Sequence, residues 1–589
     1  MSLDIASRIA VSSLMTTQVQ MSVASANISN ADTNGYTEKA ANQESVVSVG
    51  TGAGTTISGI TSNVDKLLLK SLSAANSDLG AAETRNSYLD QLQNLYGSSG
   101  SSSSSGTSIA NTIASLEAAI SSLSSTTNSA SLQSNVVSTL DSVASQLRET
   151  SSEIQNLRGN ADKDIASSVD DVNQQLKSIS DLNAEIKQTK AAGQSTADLE
   201  DKRNTAMLDV ASKMNVSYFV SSSGDMQVYT TSGQVLVDSS AHKLSYTAAS
   251  SVTASTTYSA TSSSGLSGIT VNGVDVTSQI TSGKIGGLIN LRDTVLTGAQ
   301  AQLDQLANQL SDSLNTVHNQ GTSIPPPSTL TGTATVSSST ALSASGTVRI
   351  AMADQKGNLV SYQDLDLSTY STVGDLVSGI NGISGLSASI DSNGHVVIAS
   401  TSSSNGVAIN EMSSKVGSSG AGLSDALGLN DLVTGTGASN FAVRSDILSN
   451  SGRLAVSTLD SSTSLTTGRS VLSSGSTKVV DNLYSSLTAS NSYGAAGGLG
   501  ATSGSVSDYA SAIVSSAASK ASEAKSTYTS KETAQSTFSS AMSSQSGVNL
   551  DEETARLSTL QNQYSAVSEL IKTINAMFSS LLDAVKSSH

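Results

Sequence analysis

The sequence predicts a multidomain α+β protein, with α-helical coiled-coil segments at both termini, a long-helix bundle domain and inserted β-rich parts. Three observations predict it. Large apolar residues recur at 3–4 spacing at both ends of the chain, and the same spacing runs from Leu132 to Ile186. Between these helical stretches, short runs alternate apolar and polar residues and break at glycine turns.

Residues 1–60 read as an N-terminal helix followed by an extended connector. Ile5, Ile9, Val19, Val23 and Ala26 mark the apolar stripe, with Ser12 and Thr16 as weak positions. The turn residues Asn30 to Tyr36 end the helix, and Glu38 to Ile60 is polar and glycine-rich. Residues 61–215 read as the first part of a helical domain. Leu67, Leu68, Leu72, Leu79, Tyr88, Leu92, Leu95 and Tyr96 give one helix, closed by Gly97 and a serine run to Gly106 that reads as a flexible loop. Leu132, Val136, Leu140, Val143, Leu147, Ile154 and Leu157 begin a longer pattern. It continues through Ile165, Val169, Val172, Leu176, Ile179 and Ile186 after a phase slip near Gly159, as one kinked helix or two in series.

Residues 216–323 change to period two at Val216, Tyr218 and Val220, at Met226 and Val228, and at Val235 and Val237, before a strong helix from Ile289 to His318. All three prolines are Pro325, Pro326 and Pro327, a stiff segment suited to a domain boundary. Residues 324–440 beyond it read as an inserted outer β-rich domain. Residues 441–545 return to helix, with a small-residue seam that includes Tyr509, Ile513, Ala517, Ala521 and Ala524. Residues 546–589 carry a heptad helix. Leu557, Leu560, Tyr564, Val567, Ile571, Ile574, Phe578, Leu581 and Val585 follow one another at 3–4 spacing without a slip. Asp551, Glu552 and Glu553 sit in its first turn, where the helix dipole favours anions. So regular a seam needs a partner helix. The N-terminal helix is the candidate, so residues 1–60 and 546–589 are expected to form one inner core domain.

Composition narrows the function classes. Aromatic content is 3% with no Trp, so cores must be built from Ala, Val, Ile and Leu, which suits slender helical layers. The net charge of −17 leaves no basic patch for nucleic acid or for an anionic membrane surface. There is no cysteine, hence no thiol nucleophile or thiolate metal site. His242, His318, His395 and His589 are isolated, so no metal site is expected. No phosphate-binding loop or nucleophile elbow occurs. The glycines at Gly50, Gly52 and Gly54 lack a strand–loop–helix frame. Asp364 and Asp366 would open a calcium loop whose sixth position is Thr369 rather than glycine. Neither an enzyme nor a cofactor is expected, and no apolar run is long enough to span a membrane.

Two terminal motifs carry a resemblance. Asn27-Ile28-Ser29-Asn30-Ala31-Asp32-Thr33-Asn34-Gly35-Tyr36 resembles the N-terminal motif of bacterial flagellar axial proteins, and Ser546-Gly547-Val548-Asn549-Leu550-Asp551-Glu552-Glu553 their C-terminal motif. The match departs at Asn34, where those proteins usually have proline, and at Glu38, where they often have arginine. Gly283 to Leu288 with Arg292-Asp293, Asp198 to Asn204, and Phe441 to Leu448 are similar to the flagellar hook-associated protein 1 family, the hook–filament junction protein. The resemblance implies a structural subunit in the extracellular flagellum, exported unfolded through the flagellar type III channel. It implies contacts with copies of itself in a ring, with hook protein, with the flagellin-like hook-associated protein 3 and with an export chaperone. The expected subunit contacts are Ile5, Ile9, Val19, Val23, Asn27, Asn30 and Tyr36 together with the heptad residues from Leu557 to Val585. Tyr36 either anchors a contact or packs locally. Hook or distal rod protein is an alternative, disfavoured by the long helices of the first third. A secreted Ser/Thr-rich adhesin or surface-layer protein is another, and would not need paired terminal motifs.

Overall fold

The structure, a computed structural model, describes residues 3–48, 51–97, 108–260 and 265–587. The serine run expected as a loop lies outside them. Helix α1 (Leu3–Ser29) leads into an antiparallel hairpin of β1 (Lys39–Ser48) and β2 (Thr51–Ser62). This corrects the extended connector expected over Glu38 to Ile60. The segment has no apolar alternation to announce a strand, and register shifts at Asn42/Gln43 and Val46/Val47 break the period further. The hairpin is held by α1: the Thr55 amide donates to Ser12 Oγ at 3.2 Å, and the Thr16 and Thr55 hydroxyls lie 3.2 Å apart.

The helical layer follows with α2 (Lys66–Tyr96), α3 (Ile109–Ser124), α4 (Ala130–Ala191) and α5 (Ala197–Lys213). Asp65 caps α2 by accepting from the Leu67 and Leu68 amides, and Ser129 caps α4. Helix α4 is one continuous helix of 62 residues, roughly 90 Å at 1.5 Å per residue. Gly159 inside it costs about 1 kcal/mol relative to Ala. Ile154, Ala161 and Ile165 on either side have no exposed surface, and their burial outweighs that cost.

Strands β3 (Val216–Val220), β4 (Met226–Thr230) and β5 (Val235–Val237) form one small sheet. Strands β6 (Leu244–Ser245), β7 (Thr270–Val271) and β8 (Val274–Asp275) form another. Helix α6 (Gly283–Asn290) then passes through a π turn at Leu291–Val295 into α7 (Leu296–His318). In this turn Arg292 is fully buried, donating to Asp162 and Asp293 at 2.8 Å each.

The insertion carries its own core, from Leu330 to Leu429. Its strands are β9 (Thr329–Thr331), β10 (Ala344–Ser345), β11 (Thr347–Asp354) and β12 (Leu359–Asp366), then β13 (Leu386–Ile390), β14 (Val396–Ser400), β15 (Asn405–Asn410) and β16 (Lys415–Val416). They make two three-stranded sheets, β12-β11-β15 and β13-β14-β9, and a β10-β16 pair. Helices α8 (Val373–Asn381) and α9 (Leu423–Leu427) pack in the same core. The expected unit of residues 324–440 is corrected at its far edge. Leu432, Val433 and Ala438 belong to the main helical core. Leu459, Val471 and Leu472, from the stretch expected to be returning helix, pack on Ala351, Leu359 and Ala408 of the outer sheet. Hydrophobicity alone does not say which of two cores a short apolar run will join.

The chain closes with β17 (Val433–Thr434), β18 (Ala442–Val443), α10 (Ser445–Ser449), α11 (Lys478–Thr488), β19 (Asn491–Tyr493), β20 (Thr502–Gly504), α12 (Val506–Ser546) and α13 (Leu550–Ser587). Helix α5 packs between α4 and α2, and α2 packs along α12. One hydrophobic core runs from Tyr88 on α2 to Ala524 on α12.

A buried polar staple ties the insertion to the end of α7. The His318 Nε2 accepts the Ala455 amide at 2.8 Å and its Nδ1–H donates to the Asn430 carbonyl. Asn319 donates to Asp431 at 2.6 Å and accepts from Ser424 at 2.7 Å. Burial holds the His318 imidazole neutral and pushes its pKa from 6.5 down to about 4. The unfolded chain takes up this proton below pH 6.5 and the folded chain does not. The staple's stability is therefore complete above pH 6.5 and is lost as pH falls towards 4, by roughly 3 kcal/mol at 1.36 kcal/mol per pH unit. Thermal midpoints of wild type and His318→Gln, compared from pH 7 to pH 4, should differ in slope across that window. Identical slopes would exclude His318 as the titrating group.

Candidate assembly surface

Helices α1 and α13, from opposite ends of the chain, pack along each other. On α13 the heptad seam is the shielded face. Leu560 and Ile574 are buried, and Leu557, Tyr564, Val567 and Ile571 are half-buried. Helix α1 has 27 residues and α13 has 38, a difference of 38 − 27 = 11 residues. The two meet at a common joint, so about three turns of α13, at 3.6 residues per turn, outrun their partner. Phe578, Leu581 and Val585 are accordingly exposed at 37%, 55% and 54%, beside exposed Met577 and Leu582.

The expected α1 stripe is split between an open and a half-buried face. Ile5 and Val19 are exposed, Ile9 and Val23 are half-buried, and the buried residues are Ala10, Thr16, Thr17, Ala24 and Asn27. Helix α1 is covered by the hairpin and by α13 together, and small side chains let both approach closely. The two threonines satisfy their hydroxyls by donating to the Ser12 and Ser13 carbonyls at 2.9 Å each. The larger residues Ile5, Val11, Met15 and Val19 are left on the open face.

The joint is built where the two terminal motifs meet α5. Asn27 lies fully buried. Its side-chain amide donates to the Lys39 carbonyl at 3.0 Å, and its oxygen accepts the Lys39 amide at 3.1 Å and the Tyr36 hydroxyl at 2.9 Å. Asn30 is half-buried and closes the turn, accepting from Thr33 at 3.2 Å. Gly35 has φ +78°, and a Cβ there would stand 2.3 Å from Thr205 Oγ1, so glycine is required. Thr37 donates its amide at 3.0 Å and its hydroxyl at 2.7 Å to Asp201. Lys39 pairs with the same carboxylate, both side chains being at most 7% exposed, and its ammonium stands 4.2 Å over the Tyr36 ring. The second motif closes the joint: the Glu38 amide donates to the Ser546 carbonyl at 2.8 Å, and Arg556 reaches Glu553 at 3.5 Å. Burial, then the Asp198 and Asp201 charges, pushes the Tyr36 hydroxyl up to about 12, so it remains a hydrogen-bond donor. Beside Tyr36 an open recess of about 620 Å³ lies between the motif loop, α4 and α5.

Sequence reasoning missed Lys39 and Asp201. Asp201 lies within a motif that was noted, but a pairing across 162 residues leaves no local pattern. Asp201→Ala strands a buried ammonium, which costs about 3–5 kcal/mol. Amide exchange across β1 and β2 should rise by about a hundredfold or more. Unchanged protection of the hairpin would contradict the role given to this pair.

Comparison with known proteins finds similarity in three parts of the chain. The family model described as the flagellar hook-associated protein FlgK helical domain matches residues 89–329. A flagella basal body rod protein model matches residues 8–37, spanning α1 and the first motif. The C-terminal model of the flagellar basal body rod FlgEFG proteins matches residues 539–584, spanning the second motif and α13. No curated protein matches significantly in sequence. Among solved structures, the flagellar hook junction protein FlgK from Burkholderia pseudomallei is similar in fold, with a TM-score of 0.50 at 16% identity. The similarity covers 80% of this chain and 99% of that one.

Proposed function

We propose that this chain is a FlgK-like hook-associated protein of the flagellum that joins the hook to the filament as a structural polymer subunit. The observation that carries this reading is the open apolar face of the terminal helix pair: Val11, Met15 and Val19 on α1, with Met577, Phe578, Leu581 and Val585 on α13. Exposed large apolar side chains grouped on a helix surface are costly in water and mark a contact surface. Copies of the chain in a ring would bury it by packing their terminal helices together. Hook protein would contact the ring on one side and the flagellin-like hook-associated protein 3 on the other. Before assembly the chain would leave the cell unfolded through the flagellar export channel, its C-terminal helix covered by a chaperone. Deleting the encoding gene should give cells whose micrographs show intact hooks without filaments, with filament subunits released to the medium. Normal filaments on such cells would overturn the reading.

A further inference from the structure

We propose that successive copies interlock head to tail at the level of the joint, with Leu67 of one copy seated in the recess beside Tyr36 of the next. The inference rests on the reading that the chain assembles with copies of itself, and it names a second contact independent of the apolar stripe on the terminal helices.

Leu67, in the first turn of α2, is 79% exposed, more than any other large apolar side chain among the described residues. Exposed Lys66 and Lys70 flank it, and neither makes an ion pair among the described residues. Two free cations around a projecting leucine make a knob that suits an apolar hole with an acidic rim. The recess beside Tyr36 is such a hole. Leu182 and Ala206 line it, and Asp198 and Asp209 stand on its exposed rim. Lys202 also borders it, and Lys39 pairs with Asp201 and reaches Asp198 at 3.7 Å, so three carboxylates against two ammoniums leave the rim with one net negative charge. A volume of about 620 Å³ accommodates a helical turn rather than one side chain.

Position supports the pairing. Thr37, which bonds Asp201 at the recess, also meets the Ser62 hydroxyl at 2.5 Å, and α2 begins just beyond Ser62 at its Asp65 cap. The start of α2 is therefore tied closely to the recess. Knob and hole are different surfaces of the chain. The recess opens at α4 and α5, whereas Leu67 borders a shallow groove with Ala541 and Ser544 at the end of α12. A knob on one surface and a hole on another make a heterologous contact, which propagates from copy to copy and closes a ring or winds a helix.

The chain has no cysteine, so engineered thiols are the only ones present. Leu67→Cys combined with Ser178→Cys on the recess wall, expressed in the deletion strain, should give a ladder of disulfide-linked copies beyond the dimer when assembled flagella are mildly oxidised. Each single variant should give none. Filament-bearing cells without the ladder would overturn the inference and leave the hook–filament reading standing. A cross-link to a hook or filament-side protein instead of a second copy would also overturn it. Failure of the wild-type chain to restore filaments would instead overturn the parent reading. A second test needs no thiol. Asp198→Lys with Asp209→Lys should cut the fraction of filament-bearing cells at least tenfold, and adding Lys66→Glu with Lys70→Glu should restore it. Unaffected filaments, or a loss that the second pair leaves unrepaired, would overturn the interlock.

Discussion

Replacing Arg292 by alanine is expected to lower the melting midpoint of the helical domain by roughly 10 °C, a loss of about 3–5 kcal/mol. Arg292 has no exposed surface, and it grips Asp293 through Nε and an Nη, each at 2.8 Å. Its other Nη donates to Asp162 and to the Tyr246 hydroxyl, which in turn donates to Asp162. Asp162 also accepts the Ala249 amide at 2.7 Å, and buried Arg158 donates to the Arg292 carbonyl at 3.1 Å. Removing the guanidinium leaves the Asp162 carboxylate buried without its ion-pair partner, held among the described residues only by the Tyr246 hydroxyl and the Ala249 amide. Arg292→Lys keeps the charge but not the two-pronged fork, so a smaller loss is expected. Differential scanning calorimetry decides it: a midpoint within about 2 °C of wild type in the alanine variant would mean the cluster is not what joins α4 to the π turn.

What was legible in the sequence depended on side-chain size and on sequence distance. The α13 seam is written in Leu, Ile and Phe, and its shielded positions in the structure are those its spacing marks, as far as Ile574. The buried face of α1 is written in Ala and Thr. Of its larger stripe residues, Ile5 and Val19 point outward while Ile9 and Val23 are half-buried, so apolar size alone does not mark the shielded face. The path of α4 across Gly159 was ambiguous because one glycine shifts the pattern without supplying enough cost to break a helix buried on both sides of it. The β1–β2 hairpin left no signal because its strands rest on α1 through hydroxyls and glycines rather than alternating apolar residues.

The joint shows the same limit. Asn27 and Tyr36 were marked from the motif, and both take part in it. Lys39 and Asp201 are two of the most consequential charges in the molecule, yet each reads locally as an ordinary surface residue. The edge of the insertion was misplaced for a related reason. Residues near Leu432 and near Leu459 are equally apolar, and only the tertiary path assigns the first to the helical core and the second to the outer sheet.

The account stands or falls on the open face of the terminal helix pair. Ile574 is already buried within one chain, so changing it would disturb the monomer as well as any assembly. Phe578 and Leu581 are exposed in the single chain and lie beyond the reach of α1. Phe578→Asp with Leu581→Asp should leave the melting curve of the purified chain unchanged. In an assembled ring each introduced carboxylate would be buried without a partner, at a cost of several kcal/mol, more than the apolar contact it replaces contributes. The measurement is electron microscopy of cells making only this double variant, with its export checked in the medium. The account predicts variant chain exported at the wild-type level, hooks without filaments, and filament subunits shed. Normal filaments on cells that export the double variant would contradict it.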